Sequence, residues 1–415
     1  MKRLLILGSG TAGTILVNKL HRKLPHDWEL QVVEPSEDHL YQPGFLFVPF
    51  GRTTPESLRR STTSLLPSDV DRVVGTVRRV VPGDDAVELE DGTVIDYDIL
   101  VIATGTTPRP DETPGMTGPG WRESIHDFYS YEGATALRKA MAGFDGGHLV
   151  VHVCEMPIKC PVAPLEFAFL ADHYFKERGI RDQVKITFAT PLSGAFTKPV
   201  ASQVLGDMFA KRDIQVETDF YVESIGPETM TSYDERTIDF DLLVTTPVNM
   251  GAKFVRESGL GDELDHVKVD HGTFLAVGYD NIFAIGDAAA LPTSKAGSVA
   301  HFASEVFVEN LMKLIAGRPM THRFDGHANC FVESGDGKAL LLDFNYDTEP
   351  LAGKYPVPGL GPLALLKESR MNHWGKLAFE KIYWNILLKG RWMPVPNEMS
   401  MAGKHPAATV KESNE

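Results

Sequence analysis

The sequence predicts an α/β protein: two doubly wound parallel sheets in tandem, followed by a C-terminal α+β region. Three observations carry this. An apolar strand at 4–7 runs straight into Gly8-Ser9-Gly10-Thr11-Ala12-Gly13 and a helical stretch to about residue 24, and a second apolar strand follows at 30–33. The same order recurs as a strand at 147–153, a helix from 164 to 178 and a strand at 184–189. A late apolar strand at 282–285, followed by a helix over 297–316, returns the chain to the first sheet. The expected domains are 1–110 with 270–320, a second Rossmann-like unit at 111–269, and a C-terminal unit at 321–415.

Between these landmarks, hairpin strands are expected at 71–81 and 86–89 with Asp91-Gly92 as the turn, and a buried strand at 97–103. The second unit adds a helix at 202–212 and strands at 214–216, 222–225, 237–240 and 242–245. Strands at 330–333 and 339–344 open the C-terminal unit, and a Pro/Gly-rich segment spans 355–362. An aromatic, leucine-rich stretch at 363–392 carries interspersed Lys and Arg, including Lys376. That pattern suits a helix lying in a membrane interface, and it equally suits a core helix or a homodimer face. Beyond Gly390 the polar, proline-containing tail is expected to be disordered.

Composition narrows the function. A net charge of −15 argues against duplex nucleic acid as a partner, because phosphates call for a dense basic surface. Three cysteines in 415 residues are too few for a disulfide scaffold. The basic-then-apolar start is too short for a signal peptide and leads into the glycine turn. No uncharged apolar run reaches the ~18 residues of a transmembrane helix. The expected compartment is cytoplasmic, with the inner face of the cell membrane open as a docking surface.

The first glycine turn is a dinucleotide site. Gly8 permits the tight turn, Gly10 admits a pyrophosphate, Gly13 lets helix and strand pack, and Thr11 and Ala12 open the helix. The phosphates then face free helix N–H groups. Glu34, closing the second strand, fits a ribose hydroxyl and disfavours a 2′-phosphate. Ala103-Thr104-Gly105 and Gly286-Asp287 resemble the ATG and GD elements of the FAD-binding pyridine-nucleotide-disulfide-reductase-like superfamily, in which the late acid contacts the ribitol. The resemblance selects FAD over NAD. No cysteine precedes Cys154, so that part of the chain offers no thioether to the flavin, and the cofactor is expected to be non-covalent.

The turn after strand 147–153 should carry a second glycine motif in a pyridine-nucleotide enzyme. It reads Cys154-Glu155-Met156-Pro157-Ile158-Lys159-Cys160-Pro161 instead, without glycine and with two prolines that lack N–H donors. NAD(P) in the usual manner is therefore not expected. Cys160, just before a helix and beside Lys159, has the setting of a lowered thiol pKa. Each cysteine also has a plain reading as a small buried hydrophobe, strongest for Cys154.

With these elements in order, the chain resembles the sulfide:quinone oxidoreductase family and its relative, the flavoprotein subunit of flavocytochrome c sulfide dehydrogenase. The matching parts are the glycine turn, His39-Leu40-Tyr41-Gln42-Pro43, Cys160-Pro161-Val162-Ala163-Pro164-Leu165-Glu166-Phe167, Gly286-Asp287, Lys295-Ala296-Gly297 and the late Cys330. The resemblance implies that Cys160 and Cys330 form the redox pair beside the flavin. It places Gln42 among the cofactor contacts, Lys295 near the ring and Glu166 between the domains. Sulfide, or a related thiol or persulfide, would attack the bridged pair, and electrons would pass through FAD to a quinone. Many members carry a further cysteine between the ATG turn and the second unit, and this chain has none there. Two other readings remain: a flavin redox sensor or scaffold in a sulfur-transfer complex, and an enzyme like type II NADH dehydrogenase.

Overall fold

The computed structural model describes residues 1–406; residues 407–415, the end of the tail expected to be disordered, lie outside the described residues. Five parallel strands make the first sheet, in the order Ile282–Ala284, Ile99–Ile102, Lys2–Leu7, Trp28–Val33 and Asp71–Val73. Leu4, Leu5, Ile6 and Leu7 are all at 0% exposure, as a central strand covered on both faces requires. Helices Thr11–Leu20 and Gly297–Ile315 pack against each other beside this sheet, so its elements come from both ends of the chain.

The second sheet is also parallel, in the order Ile125–His126, Leu242–Thr246, Gly147–Val153, Val184–Ala189 and Ile214–Glu217. Each parallel sheet carries a small three-stranded antiparallel sheet. These comprise Val77–Val81, Ala86–Leu89 and Val94–Asp96 in one case, and Val222–Ile225, Thr229–Ser232 and Thr237–Asp239 in the other. The expected hairpin is present as Val77–Val81 against Ala86–Leu89, with two corrections. Asp71–Val73 joins the parallel sheet, and the Asp91-Gly92 turn connects Ala86–Leu89 to Val94–Asp96. Gly92, at φ +88°, supplies the left-handed turn residue.

The C-terminal region is a mixed sheet ordered Ala328–Gly335, Lys338–Phe344, Gly361–Leu365, Ala352–Val357 and Lys404–His405. The Pro/Gly-rich segment forms the turn and inner ends of a hairpin between Ala352–Val357 and Gly361–Leu365. Helix Arg370–Ile382 starts on Ser369, whose hydroxyl accepts the Asn372 N–H, and it runs into a π-helical turn at Tyr383–Leu387. Disorder beyond Gly390 is also corrected for the described part. Lys404–His405 adds a strand, and the Lys404 ammonium pairs with the fully buried Asp343 carboxylate. An acid enclosed like this must find cations and donors, and His327 supplies another at 2.7 Å.

Candidate active site

Every strand that feeds the site ends at the same place. Gly10 follows the first strand, Ala103-Thr104-Gly105 follows Ile99–Ile102, Gly286-Asp287 follows Ile282–Ala284, and Cys160 follows Gly147–Val153. Ligands of open α/β sheets bind outside these carboxyl ends. Gly10, Thr11, Ala12, Gln42, Ala103, Thr104, Gly105, Gly286, Asp287 and Lys295 line one cavity together with Cys160 and Glu166. Gly8 and Glu34 line an adjoining one, which Thr104 shares.

The cradle fits a flavin dinucleotide. A Cβ on Gly13 would stand 1.9 Å from the Gly8 carbonyl oxygen, so helix and turn touch, whereas a Cβ on Gly10 would meet nothing within 4 Å. That open side is where a pyrophosphate needs room. Glu34 accepts the Ser9 N–H at 2.7 Å and the Ser36 N–H at 2.9 Å, which fixes the carboxylate at the mouth of the second cavity. Thr104 and Thr106 bury hydroxyl groups that have no protein partner, an arrangement that favours polar ligand atoms. Asp287 does not cap a helix; it sits inside a short 3-10 turn and its carboxylate lines the cavity. The Lys295 ammonium donates to the Asp287 and Ala289 carbonyls at 2.7 and 3.1 Å, and burial pulls its pKa down to about 8.

In the second unit the turn is rebuilt. Residues 8–10 suffice between strand and helix in the first unit, but residues 154–162 separate Gly147–Val153 from helix Ala163–Glu177. This longer loop is pinned across the molecule: Lys159 bridges to Lys295, and the Cys160 N–H donates to the Lys295 carbonyl at 2.6 Å. All three cysteines are free thiols. Cys160 is half-buried on the cavity wall, and Cys330, buried on Ala328–Gly335, packs in the same apolar cluster. Cys330 does not line the cavity; it lies behind it, near enough that charge on Cys160 pushes its own pKa up, after the larger effect of burial. Cys154 belongs to a different cluster, with its sulfur 3.4 Å from the Thr245 hydroxyl, and burial raises its pKa to about 11.

One expectation is overturned. The Cys160 pKa is not lowered; burial and then the Glu166 charge push it up to about 12, against the opposing charge of Lys376. The helix start and Lys159 are outweighed by loss of water. Glu166 itself is driven to about 7, chiefly by burial. Its carboxylate pairs with Lys376 and accepts the Glu333 N–H at 2.7 Å, while its second oxygen has no protein partner.

Lys376 is the site residue that sequence reasoning missed; it belongs to no motif and reaches Glu166 only because helix Arg370–Ile382 docks there. Tyr129, Phe128, Phe45, Phe379 and Tyr383 also line the cavity and were not singled out as site residues. Tyr383 joins the C-terminal segment to the glycine turn through Thr11 at 2.9 Å and His39 at 2.7 Å.

The chain is similar to known proteins over most of its length. The chain is 28% identical over 398 residues to the mitochondrial sulfide:quinone oxidoreductase of Dictyostelium discoideum, covering 94% of this chain and 86% of that protein. It is 26% identical to the mitochondrial sulfide:quinone oxidoreductase of Mus musculus, with the same coverage. The crystal structure of the sulfide:quinone oxidoreductase of Aquifex aeolicus superposes with a TM-score of 0.80 at 22% identity, covering 94% of this chain and 92% of that one, and so shares the fold. Residues 2–305 match the pyridine nucleotide-disulphide oxidoreductases, a family that implies a flavin cofactor. With a match over most of its length and both parallel sheets in place, the chain belongs to the pyridine nucleotide-disulphide oxidoreductase family.

Proposed function

We propose that the chain oxidises sulfide with the Cys160/Cys330 pair and passes the electrons through non-covalently bound FAD to a quinone. One observation carries the reading: a thiol loop occupies the turn where a nicotinamide nucleotide would otherwise bind, and it places Cys160 on the wall of the flavin-type cavity. The named relatives match over nearly the whole chain.

Gly10, Thr11 and Ala12 would hold the pyrophosphate, with Gly8 and Gly13 closing the turn behind them, Glu34 the ribose, and Gln42, the 103–105 turn, Asp287 and Lys295 the flavin end. FAD, when bound, supplies a two-electron acceptor between sulfur and quinone. The protein steps are thiol chemistry. Once the two thiols have closed as a disulfide, losing two protons and giving two electrons to the acceptor that FAD would supply, hydrosulfide would attack the Cys330 sulfur; one S–S bond forms on Cys330, the Cys160–Cys330 bond breaks, and Cys160 leaves as a thiolate. Cys160 lines the cavity and Cys330 lies behind it, which supports this division of roles. Lys376 offsets thiolate charge that burial disfavours. Glu166, near neutrality in pKa and lining the same cavity as Cys160, is suited to exchange a proton as the thiol ionises, while the quinone would approach the opposite flavin face. In anaerobic stopped flow, sulfide should bleach the flavin, a short-chain quinone should restore the colour, and NADH should do nothing. Bleaching by NADH but not by sulfide would reverse the assignment.

The C-terminal helix supports contact with a membrane surface. In Arg370–Ile382 only Asn372 is buried, and Trp374 and Trp392 are 64% and 81% exposed. No helix among the described residues is long and apolar enough to cross a membrane. Cosedimentation with anionic vesicles should fall several-fold in a Trp374→Ala/Trp392→Ala variant, and equal binding by both proteins would remove this face from consideration.

A further inference from the structure

We infer that Tyr129 is a positioning residue for Cys160: it holds the backbone that aims the thiol, without touching the sulfur. The inference rests on the reading of Cys160 as the thiol facing the flavin.

Cys160 has φ +49°, a left-handed conformation that residues with a Cβ adopt reluctantly. Such a conformation persists only when its surroundings over-determine it. Here both sides of the residue are tied. The Cys160 N–H donates to the Lys295 carbonyl at 2.6 Å, and the Cys160 carbonyl accepts from the Ala163 N–H at 2.9 Å and from the Tyr129 hydroxyl at 3.0 Å. The Tyr129 bond is the one side-chain member of the set. Burial, the main cause, raises its pKa far above the ordinary range, so the hydroxyl remains a donor throughout the working pH range.

Tyr129 stands on a rigid support. Its N–H and that of Ser130 donate to Asp127 at 2.8 and 2.9 Å, and Asp127 pairs with Arg122 at 2.8 Å. Its ring meets Phe128 edge-on, and Phe128 stacks at 4.9 Å on Phe167 of the helix that follows the cysteine loop. Loss of the hydroxyl leaves this platform intact and frees one anchor. Relaxing towards the common helical region would turn the N–Cα bond by roughly 110°. That would carry the sulfur well outside the ~0.5 Å tolerance of a working site.

The test is Tyr129→Phe in the flavin-loaded protein, with the thiols reduced for labelling and the flavin oxidised for bleaching, read in two ways. Iodoacetamide labelling of Cys160, followed by peptide mass spectrometry, should accelerate about tenfold as local opening becomes easier, with Cys154 unchanged. Bleaching by sulfide should slow about tenfold, while reoxidation by a short-chain quinone keeps its wild-type rate. Unchanged labelling of Cys160 overturns the inference, and so does equal slowing of both half-reactions. Faster labelling with wild-type bleaching also overturns it. If sulfide bleaches neither protein but Cys160 labelling still rises, the anchoring by Tyr129 stands and the sulfide reading fails.

Discussion

Cys160→Ser should yield a folded, yellow protein that sulfide no longer bleaches. Serine is close to cysteine in size, and Cys160 lines the cavity instead of filling the core, so stability should change by no more than ~1 kcal/mol. The flavin cradle is built from the 8–13, 103–105 and 286–287 turns, none of which the substitution touches. Chemistry is another matter. A hydroxyl neither bridges to Cys330 nor leaves as a stable anion, so sulfide-dependent reduction should fall on the order of 10³-fold or more. Reoxidation of chemically reduced protein by quinone should persist. Cys154→Ser is the control: its sulfur packs in a separate cluster, and bleaching should continue at close to the wild-type rate. Rapid bleaching of the Cys160→Ser protein would dismiss the dithiol mechanism.

Lys376→Met should produce the second large effect, and one that depends on pH. Glu166 has 1% side-chain exposure and Lys376 is its ion-pair partner. Removing one member of a buried pair costs about 3 kcal/mol or more when the other stays charged. The native Glu166 pKa already stands at about 7 instead of 4.5, with Lys376 among the groups that lower it. Without Lys376 it moves higher still. Between the unfolded and folded values the native state binds more protons than the unfolded state, so this group's stability contribution is complete at low pH and is lost as pH rises. The deficit of Lys376→Met should therefore be small near pH 5 and widen above pH 7, and Glu166→Gln in the same protein should erase the widening. Thermal midpoints across that range decide it. A deficit independent of pH would mean that the lysine acts only by packing.

The two parallel sheets were legible because their signals are local. A glycine turn declares its geometry within six residues, and fully apolar runs such as 4–7 and 149–151 are what buried parallel strands demand. Cys160 was legible for a similar reason, standing where a glycine turn was missing. The proposed role of Cys330 rests mainly on resemblance, since its place at a strand start some 43 residues after Gly286-Asp287 does not by itself announce a partner so distant in sequence. Lys376 and Tyr129 were not found at all. Each works through the docking of one element on another, and a lysine in an amphipathic stretch looks like a surface lysine until its helix is placed. The direction of the Cys160 pKa was misjudged for the same physical cause: neighbouring residues suggest charge, but burial is set by the whole fold. The tail was misread because its one decisive contact, Lys404 with Asp343, spans long separation in sequence.

The cysteine loop of residues 154–162 has a consequence for how the protein would be governed in a cell. The second unit keeps the strand order of the first, but its first turn carries a cysteine loop without glycine, which under the proposed reading leaves nicotinamide without its usual cradle. Turnover would then be indifferent to the ratio of NADH to NAD. Its throttle would be the supply of reduced sulfur at one end and the vacancy of the quinone pool at the other. Compounds that compete by imitating a nicotinamide should inhibit weakly, whereas thiol-reactive electrophiles should reach Cys160, on the cavity wall, slowly and mainly through local opening.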